Sequence, residues 1–291
     1  MGNGIACDIG IVGFDCFPEL EACLESIHRA EDLGPGRICV VENSSMDIPS
    51  GLRERFPGVL WEKSPENLGF ARACNRIISR TSSPFILLLN PDCLIIRGFV
   101  QNAIKWMEDH PEVAVLGPKI LDSDGKVQAS ARAFPGIATA FFGRTSMLTR
   151  LFPSNAVSSR NLTAVSCQDG PVEVDWVSGA CMMVRRAAVE DAGLLDEGFF
   201  MYWEDCDWCT RFRNAGWKIV YHPGLGPLKH MAGTSSSKAP FLTHFHFHKS
   251  AARLYIKYDR SLLRAGSLVA VSGAIGRFFL LLPAVFLKQC R

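Results

Sequence analysis

The sequence has no marked excess of charge of either sign, and it shows no internal repeat and no low-complexity tract. Its 31 Lys and Arg residues are nearly balanced by 29 Asp and Glu residues, which gives a net charge of +2 over 291 residues. Nucleic-acid-binding domains carry a clustered basic excess, so we expect no nucleic acid among the partners. Hydrophobic residues make up 48% of the chain, which is enough for a packed core and excludes a disordered chain.

The sequence also lacks a signal peptide and any clear disulfide or zinc pattern. The first twenty residues contain no basic start followed by an apolar stretch. The eleven cysteines are scattered and odd in number, so we expect a reducing, cytoplasmic compartment. Cys206 and Cys209 form one C-x-x-C pair, but no second pair completes a zinc site and no thioredoxin-like strand precedes it.

Two hydrophobic periods alternate along the first hundred residues. We predict buried strands at 8–14, 37–42, 58–61 and 85–89, and helices at 18–29 and 69–80. Continuous apolar strands that alternate with helices predict an α/β fold, with a mostly parallel central sheet and helices on both faces. Ligands of such a sheet lie beyond the carboxyl ends of its strands.

The pattern changes after residue 98, but no internal boundary divides the chain before residue 260. We predict helices at 99–110 and 204–215, strands at 113–116, 172–184 and 218–221, a hairpin turn at 122–125 and a long surface excursion at 134–171. The expected organisation is therefore one domain at 5–260, followed by a separate C-terminal helical segment at 265–291.

The C-terminal segment is almost entirely apolar, apart from Arg277 and Pro283. A charge in the middle of a bilayer-spanning helix costs about 2.5 kcal/mol or more, so we expect a helix or helical pair that lies in the membrane interface. Basic residues flank the segment and suit an anionic cytoplasmic leaflet; they are Lys249, Arg253, Lys257, Arg260, Arg264, Lys288 and Arg291. The alternative is a core or dimer helix.

Polar residues lie at the ends of two predicted strands, and a glycine begins one predicted helix. Asn90 and Asp92 follow the fourth strand, where a carboxylate can hold a divalent cation against phosphates, although the same residues also suit a turn. Glu42 and Asn43 follow the second strand and can receive a nucleobase or ribose, or form an Asx-type loop. Gly69 begins a helix, which lets backbone approach a ligand at an end that favours anions.

Three carboxylates crowd into residues 204–207, beside two tryptophans. Like charges at this spacing raise pKa values and suit a general base, but acidic residues are also favoured in the first turn of a helix. The histidines at 244, 246 and 248 would share a face on a strand, whereas in the expected helix His244 and His248 align. We interpret them as a polar stripe, with a metal site as the alternative.

Taken together, these segments resemble family 2 glycosyltransferases, which are inverting enzymes with the GT-A fold, and in particular bacterial rhamnosyltransferase-like proteins. The matching segments are 40–45, 67–73, 89–92, 179–186, 204–207 and 227–230. The resemblance covers about residues 8–260. Each segment is short, and the specificity lies in their order and spacing.

The resemblance implies a role for each matching position. Glu42 and Asn43 would contact the nucleoside of a sugar nucleotide, and Asp205 would deprotonate the acceptor hydroxyl. Asp92, with His230, would hold Mg²⁺ or Mn²⁺ against the diphosphate. The remaining donor-site positions are Asn67, Gly69, Arg72 and Asn90, and the remaining acceptor positions are Gly179, Trp203 and Glu204.

The resulting hypothesis is an inverting glycosyltransferase that moves a sugar, such as L-rhamnose, from a nucleotide-sugar donor to a lipid-linked saccharide in cell-surface polysaccharide synthesis. It would act at the cytoplasmic face of the inner (plasma) membrane, as a peripheral or tail-anchored protein. Two alternatives are a non-catalytic sugar- or nucleotide-binding partner in a polysaccharide assembly and a nucleotidyltransferase. A nucleotidyltransferase would require a Gly-rich basic loop after the first strand, and residues 16–19 do not form one.

Overall fold

The structure is a computed structural model that describes residues 7–30, 36–135, 170–230, 240–259 and 265–289. The predicted surface excursion at 134–171 lies almost wholly outside these residues. Arg260, Arg264 and Arg291 of the predicted basic flank also lie outside them.

The first half of the chain alternates strands with helices, as its apolar runs predict. The elements are β1 (Cys7–Gly13), α1 (Phe17–Arg29), β2 (Ile38–Glu42), α2 (Ser50–Arg55), β3 (Val59–Lys63), α3 (Gly69–Arg80), β4 (Phe85–Leu89) and β5 (Cys93–Leu94). Helix α2 is absent from the sequence-based prediction, because six residues are too few to reveal a helical period.

The second half contains shorter strands between its helices. The elements are α4 (Phe99–Asp109), β6 (Val113–Pro118), β7 (Ile120–Leu121), β8 (Ala131–Arg132), β9 (Val172–Glu173), β10 (Trp176–Val177), β11 (Cys181–Arg185), α5 (Arg186–Ala192), α6 (Glu204–Asn214), β12 (Lys218–His222), a 3-10 turn (Pro223–Leu225), β13 (Leu228–His230), α7 (Pro240–Tyr258) and α8 (Ala265–Gln289). The prediction of one strand at 172–184 is wrong, because polar groups interrupt it. Asp175 instead accepts a hydrogen bond from the Phe134 amide, and the Gly179 amide donates to Asp205.

The central sheet has the strand order β3-β2-β1-β4-β11-β6-β12-β9. Strands β3, β2, β1 and β4 are mutually parallel, as are β6 and β12. Strand β11 runs antiparallel between β4 and β6, and β9 is antiparallel at the edge. The predicted mostly parallel α/β sheet is therefore confirmed.

Helices cover both faces of this sheet because neighbouring side chains of each strand point to opposite sides. Leu87 and Leu89 of β4 pack in a core that includes residues of α1 and α4. Ile86 and Leu88 pack in a second core with residues of α3, α5 and α6. Strands β2 and β4 are buried throughout and β1 is buried except for half-buried Val12, which explains their mostly apolar sequences.

A small second sheet, β5-β13-β7, extends from the end of β4. Strand β13 pairs antiparallel with β5 and parallel with β7. His230 of β13 is paired in register with Cys93 of β5, so it comes next to Asp92. This small sheet therefore brings His230 to the polar end of β4, although the two are far apart in the sequence.

The C-terminal helix predicted from the apolar run is present as α8, and it packs against α7. Nε2 of His244 lies 3.0 Å from the carbonyl oxygen of Phe278, and their rings stack with centroids 4.9 Å apart. Within the described ranges, no helix is long and apolar enough to cross a membrane. Whether 265–291 is a unit separate from 5–260 stays a prediction.

Candidate active site

A cavity of about 360 Å³ lies at the edge of the central sheet where β1, β2 and β4 end. The turn before β11 and the first turn of α6 also contribute to its wall. The predicted site residues that line it are Asn43, Asn67, Gly69, Asn90, Asp92, Gly179, Glu204, Asp205 and His230. The fold therefore gathers most of the predicted donor and acceptor positions, and both predicted metal ligands, in one cavity.

Asp92 and His230 form the part of this cavity that fits a metal ion. Oδ1 of Asp92 lies 3.0 Å from Nε2 of His230. Nδ1 of His230 lies 2.9 Å from Oε1 of Gln128, and that oxygen can only accept a hydrogen bond, so Nδ1 carries the proton. Nε2, on the opposite side of the ring, faces the carboxylate oxygen of Asp92. These two atoms repel unless a cation or a proton lies between them, so the pair suits a divalent cation.

Cys93 also lies within 4.8 Å of these ligand atoms, but it does not fit a hard cation. Its thiol donates a hydrogen bond of 3.3 Å to the carbonyl oxygen of Ala180. Burial raises the pKa of the Cys93 thiol well above its ordinary value, so the sulfur stays protonated. Asn90, whose Nδ2 lies 3.5 Å from His230 Nε2, is a polar neighbour of the pair.

Asp205 is fixed by two backbone amides at the start of α6. Its Oδ2 accepts a hydrogen bond of 2.9 Å from the Gly179 amide, and its Oδ1 accepts one of 2.8 Å from the Cys206 amide. Burial raises the pKa of the Asp205 carboxyl, while these bonds and the nearby charge of Arg132 act in the opposite direction. Each oxygen keeps a second lone pair, so the group can accept a proton from a bound hydroxyl.

Glu204 lies beside Asp205 in the cavity wall and is more deeply buried. Burial, together with the adjacent Asp205 carboxylate, raises the pKa of the Glu204 carboxyl well above its ordinary value. Its Oε2 atom is buried and has no hydrogen-bond partner among the described residues. A neutral carboxyl in this position can donate a hydrogen bond to a polar ligand.

The loop that leads into α6 holds two aromatic residues in a strained conformation. Tyr202 and Trp203 have φ angles of 65° and 69°, in the left-handed region that bulky side chains rarely adopt. Such residues cost about 1–3 kcal/mol each and persist only where their surroundings hold them. Helix α7 supplies part of that support, since Ser250 Oγ donates a bond of 2.9 Å to the Met201 carbonyl.

Gly69 is required by a close approach of protein backbone. Its φ angle is 75°, and a Cβ atom there would lie 2.2 Å from the carbonyl oxygen of Phe200. The Phe70 amide donates a hydrogen bond of 2.7 Å to the same oxygen. The expectation that this helix end favours anions is therefore not met at the Phe70 amide, because that amide already donates to the Phe200 carbonyl oxygen.

Asn43 and Asn67 link the end of β2 to the start of α3. Oδ1 of Asn43 accepts a bond of 2.8 Å from the Leu68 amide, and its Nδ2 donates to Asn67 Oδ1 and to the Gly69 carbonyl. The Gly69 amide donates to Asn67 Oδ1 at 3.0 Å. These contacts give both asparagines a role in positioning the start of α3 at the cavity.

Glu42 lies behind the cavity rather than in its wall. Its Oε1 accepts hydrogen bonds from the amides of Asp15 and Ser44, at 3.2 and 3.0 Å. Its Oε2 is buried and has no hydrogen-bond partner among the described residues. The carboxylate therefore fixes the loops after β1 and β2, the region where the donor nucleoside was predicted.

Two further predicted residues are not brought into the cavity. Arg72 lies outside it and pairs with Glu197, with Nε 3.2 Å from the carboxylate. Trp203 packs behind the wall, where its ring centroid lies 6.0 Å from that of Trp176 and 5.5 Å from that of Phe247. The sequence places Arg72 in the same segment as Gly69, but the turn of α3 directs its side chain away.

Asp207, the third carboxylate of the 204–207 cluster, joins α6 to α7 instead of the site. Its side chain is fully buried and pairs with Arg211 at 3.0 Å and with Lys257 at 2.7 Å. Lys257 and Arg253 also pair with Asp196, at 2.7 and 3.0 Å. Arg253 and Lys257 of the predicted basic flank are therefore paired with carboxylates of the protein, whereas their contact with a membrane stays a prediction.

The C-x-x-C pair and the histidine run have structural roles. Cys206 and Cys209 are buried free thiols, and burial raises the pKa of Cys209 to about 12. His244 and His248 align as predicted for a helix, with ring centroids 4.4 Å apart. His246 stacks on Phe200 at 4.3 Å, so the run contacts the cavity loop.

The sequence-based prediction missed Gln128, Arg132 and Phe200. Gln128 contacts the ring of His230. The charge of Arg132 lowers the pKa of Asp205, and its guanidinium lies 5.3 Å from the centre of the Trp176 ring. The carbonyl oxygen of Phe200 accepts a hydrogen bond from the Phe70 amide. None of them lies in a recognisable motif. Only contacts between distant parts of the chain reveal them.

With this geometry in view, similarity to known proteins defines the class. Residues 8–192 match the family Glycosyl transferase family 2. The chain is 31% identical over 243 residues to N-acetylglucosaminyl-diphospho-decaprenol L-rhamnosyltransferase of Mycobacterium tuberculosis, which covers 79% of this chain and 78% of the relative. The chain belongs to glycosyl transferase family 2. It is a glycosyltransferase with the GT-A fold.

Two more distant similarities agree with this assignment. The rhamnosyltransferase WbbL of Escherichia coli K12 is 26% identical over 180 residues, which cover 61% of this chain and 63% of WbbL. Among solved structures, the mannosyltransferase PcManGT from Pyrobaculum calidifontis, in complex with GDP-Man and Mn²⁺, gives a TM-score of 0.57 at 14% identity. That alignment covers 96% of this chain and 76% of PcManGT, and it supports the fold alone.

Proposed function

We propose that this glycosyltransferase moves a sugar with inversion, and that Asp205 is the base that deprotonates the acceptor hydroxyl. The observation that carries the proposal is the position of Asp205 in the same cavity as Asp92 and His230. The amides of Gly179 and Cys206 hold its carboxylate in one orientation. A fixed base on one side of a donor sugar and a phosphate-binding group on the other suit direct displacement.

The donor we propose is a nucleotide-diphosphate sugar, bound where β1, β2 and β4 end. Asp92 and His230 would hold Mg²⁺ or Mn²⁺, with Asn90 beside them. The metal would supply positive charge that stabilises the leaving diphosphate. Asn43, Asn67 and Gly69 belong to this part of the wall. Arg72 is not included, since it lies outside the cavity.

The acceptor we propose is a lipid-linked saccharide, and the transferred sugar is L-rhamnose. The named activity of the mycobacterial relative, an L-rhamnosyltransferase for a diphospho-decaprenol-linked sugar, supports both choices. Glu204, kept neutral by burial, would donate a hydrogen bond to the acceptor sugar beside Asp205. Trp203 would not touch the acceptor; it would hold the loop that precedes Glu204, the first residue of α6.

Helices α7 and α8 would rest on the cytoplasmic face of the plasma membrane. Neither helix contains an Asp or Glu residue, whereas Lys249 is exposed. Phe279 and Leu280 of α8 are both 63% exposed, and Leu242 of α7 is exposed at the cavity wall. Apolar side chains with nearby basic residues suit the surface of an anionic bilayer. A peripheral attachment of this kind would keep the cavity close to a lipid-linked acceptor.

A transfer assay with purified full-length protein tests the proposal. The protein is incubated with a lipid-linked N-acetylglucosamine acceptor and a panel of dTDP- and UDP-sugars, and the anomeric configuration of the product is read by NMR. We expect transfer with inversion from one donor, loss of transfer in EDTA, and recovery with Mn²⁺ or Mg²⁺. Donor binding without transfer from any member of the panel would instead indicate a non-catalytic partner in a polysaccharide assembly.

A further inference from the structure

We propose that Gln128 is a positioning residue that holds His230 in the orientation and tautomer needed to bind a metal ion. This inference rests on the metal-dependent transfer proposed above and adds a residue that lies outside every motif of the sequence. Gln128 does not line the cavity, so it would act only through His230.

A hairpin places Gln128 next to β7, the strand that neighbours β13. The chain turns at residues 122–126, where the Asp122 amide donates a bond of 2.9 Å to the Lys126 carbonyl. The Gln128 amide then donates a bond of 2.8 Å to the carbonyl of Ile120, in β7. Because β7 pairs in parallel with β13, the backbone of Gln128 is held one strand away from β13, and its side chain makes the contact with His230.

Both ends of the Gln128 carboxamide contact the same histidine. Oε1 lies 2.9 Å from Nδ1 of His230, and Nε2 donates a longer bond of 3.4 Å to the His230 carbonyl oxygen. The second bond settles which end of the amide faces the ring. Since the ring nitrogen meets an oxygen that cannot donate, Nδ1 must carry a proton, and Nε2 is the nitrogen that can face a metal ion.

The consequence lies at the opposite nitrogen of the ring. Nε2 lies 3.0 Å from Asp92 Oδ1, so a cation bound at this point would have both atoms as ligands. Without Gln128 the ring could rotate about its side chain or protonate Nε2 instead of Nδ1. Hydrogen bonds of this kind to the distal nitrogen of a metal-binding histidine change metal affinity by about 10–100-fold.

The test measures Mn²⁺ affinity directly on the full chain, by EPR titration of the free Mn²⁺ signal, with Mn²⁺ alone as the probe. We expect Gln128→Ala to weaken Mn²⁺ binding about 10–100-fold. Gln128→Glu should bind Mn²⁺ at least as well as the parent protein, because a carboxylate also accepts the Nδ1 proton. Lys126→Ala, an exposed change in the same hairpin, is the matched control and should leave the affinity unchanged.

His230→Ala separates this proposal from the wider one. If His230→Ala weakens Mn²⁺ binding and Gln128→Ala does not, the positioning role of Gln128 is refuted while the metal site stands. If neither change weakens binding, His230 is not a ligand and the metal site proposed above fails as well. A loss of affinity in Gln128→Ala that Gln128→Glu does not restore would show a structural effect only and would also overturn the inference.

Discussion

The amide of Gly179 donates a hydrogen bond of 2.9 Å to Oδ2 of Asp205. This bond joins the turn before β11 to the first turn of α6, so the orientation of the carboxylate depends on the central sheet as well as on its own helix. The Cys206 amide holds the other oxygen at 2.8 Å. A side chain held at both oxygens loses little further freedom when the acceptor binds, which favours general-base catalysis.

The first prediction replaces this base. Asp205→Asn keeps the shape of the side chain but removes its ability to take a proton, so turnover should fall by about 10²-fold or more. Donor binding, measured by calorimetry, should remain close to that of the parent protein because the donor residues are untouched. Near-normal turnover in the purified variant would remove Asp205 from the mechanism.

The second prediction concerns the close approach at Gly69. Gly69→Ala places a Cβ atom 2.2 Å from the Phe200 carbonyl oxygen at a φ angle of 75°. We expect the free energy of unfolding, measured in urea, to fall by at least about 2 kcal/mol, from backbone strain and overpacking together. Turnover should also fall, because Phe200 and the start of α3 both line the cavity.

Two glycines serve as controls for Gly69→Ala. Gly125 has a φ angle of 78° with open space around it, so Gly125→Ala should show the cost of backbone strain alone, about 1 kcal/mol. Gly58 has open space and no unusual φ angle, so Gly58→Ala should change little. If Gly69→Ala is no more costly than Gly125→Ala, the contact with Phe200 is not a constraint.

The third prediction is a pH dependence at the junction of α7 with the rest of the chain. Burial alone would raise the pKa of Asp196, but hydrogen bonds from Lys257, the Gly198 amide and Arg253 lower it from 3.8 to about 2. A carboxyl with a lowered folded-state pKa contributes stability above its unfolded value, and loses it as pH falls towards the folded value. Asp196→Asn should therefore lower Tm at pH 7.

The difference in Tm between Asp196→Asn and the parent protein should narrow as the pH falls from about 4 towards 2, in the window set by the two pKa values. Thermal melts across this range measure it. Asp47→Asn is the matched control, because Asp47 pairs with Lys63 at a fully exposed position and should not change Tm. A Tm difference for Asp196→Asn that does not vary with pH would contradict the ion-pair explanation.

The fourth prediction tests the apolar face of α8. The double change Phe279→Asp with Leu280→Asp should reduce binding to vesicles of phosphatidylglycerol and phosphatidylcholine by more than about tenfold, since each buried side chain contributes about 1.5–3 kcal/mol. Leu60→Asp, at a side chain that is 42% exposed on β3, should not reduce it. Co-sedimentation measures both. A full-length protein that stays in the supernatant with these vesicles would show that α8 serves packing or dimerisation instead.

The parts of this molecule that are predictable from sequence are those with a local physical signal. Strand β4 is a run of five buried apolar residues, and its abrupt end at Asn90 marks the cavity edge. Asp205 also has a local signal, because it belongs to a cluster of three carboxylates in the first turn of a helix. The position of Arg72 outside the cavity could also have been predicted from the sequence. Ala71 and Cys74 of α3 are buried, so the helical period already directs Arg72 to the opposite, exposed face.

The remainder depends on contacts that no local pattern encodes. Gly69 was predicted to let backbone approach a ligand, yet the group that approaches it is the Phe200 carbonyl, far away in the chain. Gln128 reaches His230 through the pairing of β7 with β13, and Arg253 and Lys257 form ion pairs with Asp196, which is distant in sequence. In each case the partner becomes known only once the topology of the strands is known.

The insertion of β11 between β4 and β6 has a consequence for how the chain reaches its native state. Strands β3, β2, β1 and β4 can pair as soon as they are synthesised, but β4 then presents an open edge until Cys181–Arg185 leaves the ribosome. Pairing over such a sequence separation is slow, and an open apolar edge favours association with other chains. The nascent protein therefore passes through a stage in which chaperone binding at β4 would protect the yield of folded enzyme.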